Sequence, residues 1–252
     1  MKKTRLIARV DVKNDFAIKG IQLEGLRKIG NPNDLCKKYY TEGIDEIIFM
    51  DAVAAYYDRN SLSHIIRGAC VDVFVPITVG GGIRTLKDIS DALSSGADKV
   101  AINTQAIRNP SFISEMVHIF GAQCIVGSIE AKKVGTFNWE AYTDNGREPS
   151  NHDAVEWAKR LEELGVGEIM VTSVDRDGTK KGFDIDLVKS VAGNVSIPVI
   201  ASGGAGKCED VLDLLEKTNV DAVACASIFH YNRVRIADLR KQLLKNNIAV
   251  RS

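Results

Sequence analysis

Residues 75–82 read VPITVGGG, and residues 197–204 read IPVIASGG, a shift of 197 − 75 = 122. Each stretch runs a β-branched segment straight into small residues, the pattern of a buried strand ending in a turn that exposes backbone N–H groups. Outward from this pair the chain keeps repeating itself. Residues 42–47 (EGIDEI) lie over 164–169 (LGVGEI), with 164 − 42 = 122, and residues 98–104 (DKVAINT) lie over 221–227 (DAVACAS), with 221 − 98 = 123. At the start, residues 5–14 (RLIARVDVKN) lie over 124–133 (CIVGSIEAKK), with 124 − 5 = 119. Blocks in one order at a nearly constant shift describe a chain made of two similar halves.

Each block sits on a short apolar run, and helical patterns separate the runs. The strands expected are residues 5–11, 46–51, 76–81, 99–103, 124–130, 168–173, 198–202 and 221–226. Helices are expected over 33–42, 86–95, 111–120, 153–164, 186–191, 209–217 and 236–245. Strands alternating with helices form parallel sheets, and eight such units in 252 residues match an α/β fold of the (β/α)8 TIM-barrel type. The repeat makes it two half-barrels, approximately 1–120 and 121–252, within a single domain spanning 1–252. One stretch breaks the rhythm: residues 134–150 (VGTFNWEAYTDNGREPS) alternate polar and apolar and carry Asn145-Gly146, so a small hairpin inserted after the fifth strand is expected.

Composition excludes several function classes. The 33 Lys+Arg balance the 33 Asp+Glu and are scattered, which argues against a nucleic-acid or membrane-surface binder. No apolar run approaches the roughly 20 residues of a spanning helix, and the opening MKKTRLIARVD lacks the apolar stretch of a signal peptide, so a cytoplasmic protein is expected. The cysteines are Cys36, Cys70 and Cys208 on expected helices and Cys124 and Cys225 on expected strands; none forms a CxxC pair, and His64, His118, His152 and His230 are far apart. Neither a disulfide framework nor a metal site is expected, and nothing calls for a cofactor.

In this architecture ligands bind at the C-terminal ends of the strands, and phosphate prefers glycine-rich loops after strands 7 and 8. Here those are Ser202-Gly203-Gly204 and Ala226-Ser227. The repeat copies the device onto strands 3 and 4 as Gly80-Gly81-Gly82 and Asn103-Thr104. Two anion cradles half a barrel apart imply a long ligand with a phosphate at each end. Between them, Asp11 ends strand 1 and Glu130 ends strand 5, placed to share general-acid and general-base duty; Lys13 or Lys132 could instead neutralise them. Lys19 lies in a long loop after strand 1 and could close over substrate as a cation; as readily it is a solvated surface lysine. Asp177-Gly178, after strand 6, suits ribose or phosphate, and equally makes a plain turn. At the opposite end, Arg5, Glu46, Lys99 and Glu168 begin strands 1, 2, 4 and 6, two cations and two anions able to close a neutral ring.

Together these residues resemble the family of cyclase subunits of imidazole glycerol phosphate synthase. The resemblance runs through DVK at 11–13, Lys19-Gly20, TVGGGI at 78–83, GADKVAINT at 96–104, TSVDRDGT at 172–179, IASGGAGK at 200–207 and ASIFH at 226–230. It implies a lyase of histidine biosynthesis, with no cofactor, that pairs with a glutaminase subunit as a heterodimer. Ammonia released there would cross the barrel and attack a doubly phosphorylated aminoimidazole carboxamide nucleotide. The products are imidazole glycerol phosphate and an aminoimidazole carboxamide ribotide. It further implies Asp11 and Glu130 as the catalytic pair. Lys19, Gly82, Asn103, Thr104, Thr172, Asp177, Gly178, Ser202, Gly203, Gly204, Ala226 and Ser227 would bind substrate. Arg5, Glu46, Lys99 and Glu168 would form an ammonia gate, and Asp98 and Gln123 would face the glutaminase.

The chain departs from the family's pattern at strand 5, where Glu130 stands in place of Asp, and in loop 1, where residues 14–18 (NDFAI) lack a glycine. It also departs at Arg9, where a small uncharged residue is usual. Strand alternation turns Arg9 inward with Arg5 and Asp11; Glu130 is a candidate partner for it, and a cation there would obstruct or retune the channel. These departures keep an alternative open. It is a paralogous ammonia-conducting subunit serving a glutaminase and an amidotransferase of surface-polysaccharide sugar biosynthesis, with weak cyclase chemistry or none.

Overall fold

A computed structural model of the chain describes residues 3–54 and 62–251. The strands are β1 (Arg5–Lys13), β2 (Phe16–Ile21), β3 (Glu24–Gly30), β4 (Glu46–Asp51), β5 (Ile77–Gly80), β6 (Lys99–Ile102), β7 (Ile125–Gly135), β8 (Asn138–Thr143), β9 (Glu148–Asp153), β10 (Glu168–Ser173), β11 (Val199–Ser202) and β12 (Ala222–Cys225). Eight of them pair in parallel in the cyclic order β1-β4-β5-β6-β7-β10-β11-β12 and back to β1, closing the sheet on itself. The fold is the expected TIM barrel.

Helices return the chain from each strand to the next: α1 (Pro32–Thr41), α2 (Ser63–Ala69), α3 (Leu86–Ser94), α4 (Thr104–Arg108), α5 (Ser111–Phe120), α6 (Ala154–Glu163), α7 (Ile185–Ala192), α8 (Cys208–Lys217), α9 (Ser227–His230) and α10 (Ile236–Lys245). Their starts are written in local chemistry. Asn31 accepts the N–H groups of Asn33 and Asp34 ahead of α1, where Pro32 has no N–H to leave unpaired, and Thr85 with Asp88 makes a capping box for α3. Three connections escape the sequence reading. α2 lies in a weakly patterned stretch, while α4 and α9 are too short to show a helical period.

The period of two along β1 sorts its side chains. Leu6, Ala8, Val10 and Val12 pack outward against the helices, whereas Ile7 joins Ile48, Met50, Ala101, Val126, Met170, Ile200, Ala222 and Ala224 inside the barrel. Polar groups occupy both ends of that apolar plug. The bottom rim is tied by Asp45, Asp98 and Asp221, which accept the N–H groups of Leu6, Ile77 and Val199 at 2.7, 2.8 and 2.9 Å.

Two excursions rise from the top. The expected hairpin at 134–150 is larger than its sequence suggests: β7 continues past the barrel and pairs antiparallel with β8, which pairs with β9, giving two chain reversals. The segment after β1, expected as a loop, is an antiparallel ribbon: β1 runs on into β2 and β2 into β3. Its irregular register and polar outer face hide it from pattern reading. Cys124 also differs from expectation, ending a 3-10 turn (Ala122–Cys124) rather than entering the strand, and Cys70 follows α2.

Candidate functional site

The half-barrel repeat is also geometric. Gly81 and Gly203, one repeat apart, have φ of +90° and +92°, and a Cβ on either would collide with backbone, at 2.3 Å from the Asp51 carbonyl oxygen and 2.8 Å from that of Ser173. Only glycine lets each loop press onto the neighbouring strand end. One strand later the caps of α4 and α9 match as well: Asn103 has φ −126° and ψ −81°, Ala226 has −121° and −76°. Each half thus presents a glycine turn beside the first N–H groups of a short helix, with Thr104 or Ser227 contributing a hydroxyl. This is anion-binding chemistry built from backbone.

Each glycine turn also borders a cavity. The first is bounded by Asp51, Gly82, Arg84, Asn103, Thr104 and Glu130, and Arg108 stands at its rim. Arg9, Lys19, Gly178, Ser202, Gly204 and Ser227 bound the second. Asp51, Arg84 and Arg108 escaped the sequence reading, because a lone acid or arginine in a loop carries no signal until the fold brings it to a cavity.

Between the cavities stand two carboxylates in opposed environments. Asp11 is buried and held by cations: Arg9 Nε donates to its Oδ1 at 2.8 Å and Lys19 Nζ to its Oδ2 at 3.3 Å. Burial works to raise its pKa, but Arg9 and Lys19 outweigh burial and bring it down to about 2. Glu130 is buried too, and its Oε2 accepts Asn103 Nδ2 at 2.9 Å and the Gly146 N–H at 2.7 Å. No cation among the described residues touches it. Burial dominates there, only partly offset by the charge of Arg9, and carries its pKa up to about 7. Neither Lys13 nor Lys132 neutralises either acid; both are exposed. One group is fixed as a carboxylate and the other is poised to exchange a proton near neutrality.

The ribbon after β1 delivers Lys19 into this centre. Lys19 Nζ donates to both oxygens of Asp177 at 2.7 and 2.9 Å. Gln22 N–H bonds the Asp177 carbonyl at 2.8 Å, and a Cβ on Gly178 would lie 2.2 Å from the Gly20 carbonyl oxygen. Lys19 is therefore neither solvated nor in a loop. It lies on β2, 3% exposed, under a ribbon packed against the turn after β10. Asp177-Gly178 is both the turn and the seat for this lysine.

Arg9 points inward as expected, but its partner is Asp11, not Glu130. Its Nη1 donates to Thr172 Oγ1 at 3.0 Å and Ser202 Oγ at 3.3 Å. The cation is on the strand that carries Asp11, two residues away, and this short reach decides the pairing.

At the bottom the four expected charges form the ring. Arg5 Nη1 bonds Glu46 Oε1 at 2.9 Å and its Nη2 bonds Glu168. Lys99 Nζ reaches Glu168 Oε2 at 2.9 Å and Glu46 Oε2 at 3.4 Å. Cation and anion alternate around the barrel axis. Asp98 and Gln123 flank it, both exposed; one oxygen of Asp98 is taken by the Ile77 N–H, so it also ties the rim.

No group of three or more His, Cys, Asp or Glu among the described residues is arranged to hold a metal ion, and no helix among them is long and apolar enough to cross a membrane.

Comparison with known proteins meets this geometry. Residues 5–235 match the model of the histidine biosynthesis protein family. The chain is 55% identical over 210 residues to a Legionella pneumophila protein named imidazole glycerol phosphate synthase subunit HisF, covering 83% of this chain and 99% of that one. It is 49% identical over 247 residues to the Pyrococcus furiosus protein of the same name, and 44% identical over 247 residues to that of Bacillus cereus strain Q1, with 98% of both chains covered in each case. The chain belongs to the histidine biosynthesis protein family, as a HisF-type subunit of the imidazole glycerol phosphate synthase kind.

Proposed function

We propose that this protein is the cyclase subunit of an imidazole glycerol phosphate synthase, a single barrel domain of two half-barrels working in the cytoplasm. It joins ammonia to a doubly phosphorylated aminoimidazole carboxamide nucleotide, and forms imidazole glycerol phosphate and the aminoimidazole carboxamide ribotide. The observation that carries this reading is the divided pair of carboxylates standing between two matched anion cradles. A phosphate at each end of one substrate suits the glycine turns, with Gly82, Asn103 and Thr104 at one end and Gly203, Gly204, Ala226 and Ser227 at the other. Substrate stretched between them lies over Asp11 and Glu130, with Thr172, Ser202, Asp177 and Gly178 alongside.

Asp11, kept ionised, stabilises the positive charge that develops as ammonia adds. Glu130, half-protonated near neutrality, gives and takes protons as water leaves and the imidazole ring closes. Lys19 steadies negative charge on the substrate and, with its ribbon closed, excludes bulk water. No cofactor takes part.

Ammonia reaches the site through the barrel, and the Arg5–Glu46–Lys99–Glu168 ring guards its way in. Around that ring the bottom face exposes Val71, Phe74 and Ile119, which suits docking of a glutaminase subunit against Asp98 and Gln123 as a heterodimer. The five free cysteines fit a reducing compartment. The conduit-only alternative finds no support, since the relatives compared carry the synthase name and this chain has a carboxylate on both strands, Glu130 in place of Asp on the fifth, and both cradles. Purified protein given the doubly phosphorylated nucleotide and excess ammonium salt tests the reading. Turnover to both products is expected, and absence of turnover under saturating substrate overturns it.

A further inference from the structure

Arg9 stands in the centre, and the chemistry just described does not use it. It is a fully desolvated guanidinium at the top of the apolar plug, 2% exposed, and it spans the barrel interior from β1 to β10 and β11. Two of its nitrogens are committed. Nε holds Asp11, and Nη1 is shared between Thr172 and Ser202. No described side chain bonds its third nitrogen, and Arg9 lines the second cavity together with Lys19, Gly204 and Ser227. A buried cation with a spare donor, lining the same cavity as a backbone anion cradle, is chemically suited to bind an anion there.

We propose that Arg9 is a positioning residue that couples occupancy of the second cradle to the placement of Asp11. An anion seated on Ser202, Gly203 and Gly204 takes the free Nη2 and pulls on the same planar group whose Nε orients the Asp11 carboxylate. Because a guanidinium is rigid, the two contacts cannot relax independently. The substrate's phosphate therefore sets the angle of the carboxylate at the reacting end. This inference rests on the cyclase reading for its catalytic readout but not for its anion readout.

Among the described residues, the groups facing Asp11 from each packed element are Arg9 on its own strand, Lys19 from β2, Glu130 from β7, Asp177 from the turn after β10 and His230 from α9. His230 is held neutral: burial dominates and brings its pKa down to about 4, and its Nδ1 lies 2.6 Å from the Tyr39 hydroxyl. Arg9 and Lys19 are thus the cations that keep Asp11 ionised, and of the two only Arg9 also touches the floor of the cradle at Ser202.

The test compares wild type with Arg9→Met, which keeps an unbranched apolar stem and removes the charge, and Arg9→Lys, which restores charge without the fork. Inorganic phosphate is titrated by calorimetry, and kcat and KM are followed against pH with ammonium salt as nitrogen source. In Arg9→Met, phosphate should bind at least ~10-fold more weakly, the expectation for losing one charge-assisted hydrogen bond. Its kcat should fall more than KM rises, and the acid limb of kcat/KM should move to higher pH. Arg9→Lys should restore the acid limb but not the kcat, because a lysine cannot hold both contacts. Unchanged phosphate affinity in both variants, or a uniform loss of rate with no change in pH profile, overturns the proposal. If Arg9→Met does not fold, Arg9→Lys alone decides: wild-type phosphate affinity and kcat in that variant refute the coupling. Wild type that binds phosphate but turns nothing over refutes the cyclase reading and leaves the phosphate comparison to judge Arg9.

Discussion

The backbone N–H of Gly146 donates to Glu130 Oε2 at 2.7 Å, so the turn between β8 and β9 holds the acid of the strand from which its ribbon departs. Asn103, at the cap of α4, reaches the same oxygen at 2.9 Å and also the Tyr142 carbonyl at 2.9 Å. The glutamate is thereby built into the pocket at its full length.

Shortening it should therefore harm the protein. Glu130→Asp withdraws the carboxylate by roughly one C–C bond and strands two buried donors, and misplacement of this size costs about 100-fold in rate. Steady-state turnover with ammonium salt is the check. An aspartate variant as active as wild type would show that the fit to Asn103 and Gly146 is incidental.

Glu130→Gln separates the acid's chemistry from its packing, because the amide oxygen can still accept both hydrogen bonds. Rate should fall by roughly 100-fold or more. Stability should move the other way with pH. The carboxyl is shifted from its ordinary 4.5 up to about 7, so its contribution to folding is fully present below pH 4.5 and is lost as pH rises through 7. The glutamine variant escapes that loss. At pH 8 its melting temperature should exceed that of wild type, by an amount on the order of 1–3 kcal/mol in stability, and the gap should close at pH 4. Thermal denaturation at both pH values measures it.

Barrel and repeat were legible in the sequence because they rest on short-range patterns. The strands at Glu46–Asp51 and Glu168–Ser173 end where the apolar runs end, and the glycine turns recur one half-chain apart. The bottom ring was legible for the same reason, since residues beginning parallel strands share a rim. The parts that were not legible depend on side chains meeting across the fold. Arg9 shows its inward face through alternation, yet only the closed barrel shows that Asp11, Thr172 and Ser202 converge on it. The ribbon at β2 and β3 pairs with weak pattern and shifted register, so Lys19 reads as loop in the sequence and only the fold buries it against Asp177.

Lys19→Met should open that ribbon. It removes the bonds to Asp11 and Asp177, leaving two buried acids facing one another without their shared cation. Amide exchange across β2 and β3 should quicken, and kcat should drop by about 100-fold, the scale expected when a substrate-closing contact is lost. Hydrogen exchange read beside kinetics distinguishes this from a local electrostatic effect: slow exchange with lost activity would mean the ribbon closes without its lysine.

Arg5→Ala leaves Glu46 and Glu168 with Lys99 as the remaining member of the ring. Removing one partner of a buried pair costs about 3 kcal/mol, so the melting temperature should fall by several degrees. Ammonium-driven turnover should survive, because the ring lies at the far end of the barrel from Asp11 and Glu130. Glutamine-driven turnover in the assembled complex should lose its coupling, measured as glutamate released per product formed. Coupling that stays at the wild-type ratio would remove the ring from any role in ammonia passage.

The central claim is that one substrate spans both cradles while the two acids act between them. It is tested most directly by kcat/KM for the doubly phosphorylated nucleotide against analogues lacking either terminal phosphate, with ammonium salt as nitrogen source. Loss of either phosphate should lower kcat/KM by about 100-fold or more, because binding energy at each end is used to orient the reacting centre. An analogue with one phosphate that is turned over as efficiently as the doubly phosphorylated substrate would contradict the account.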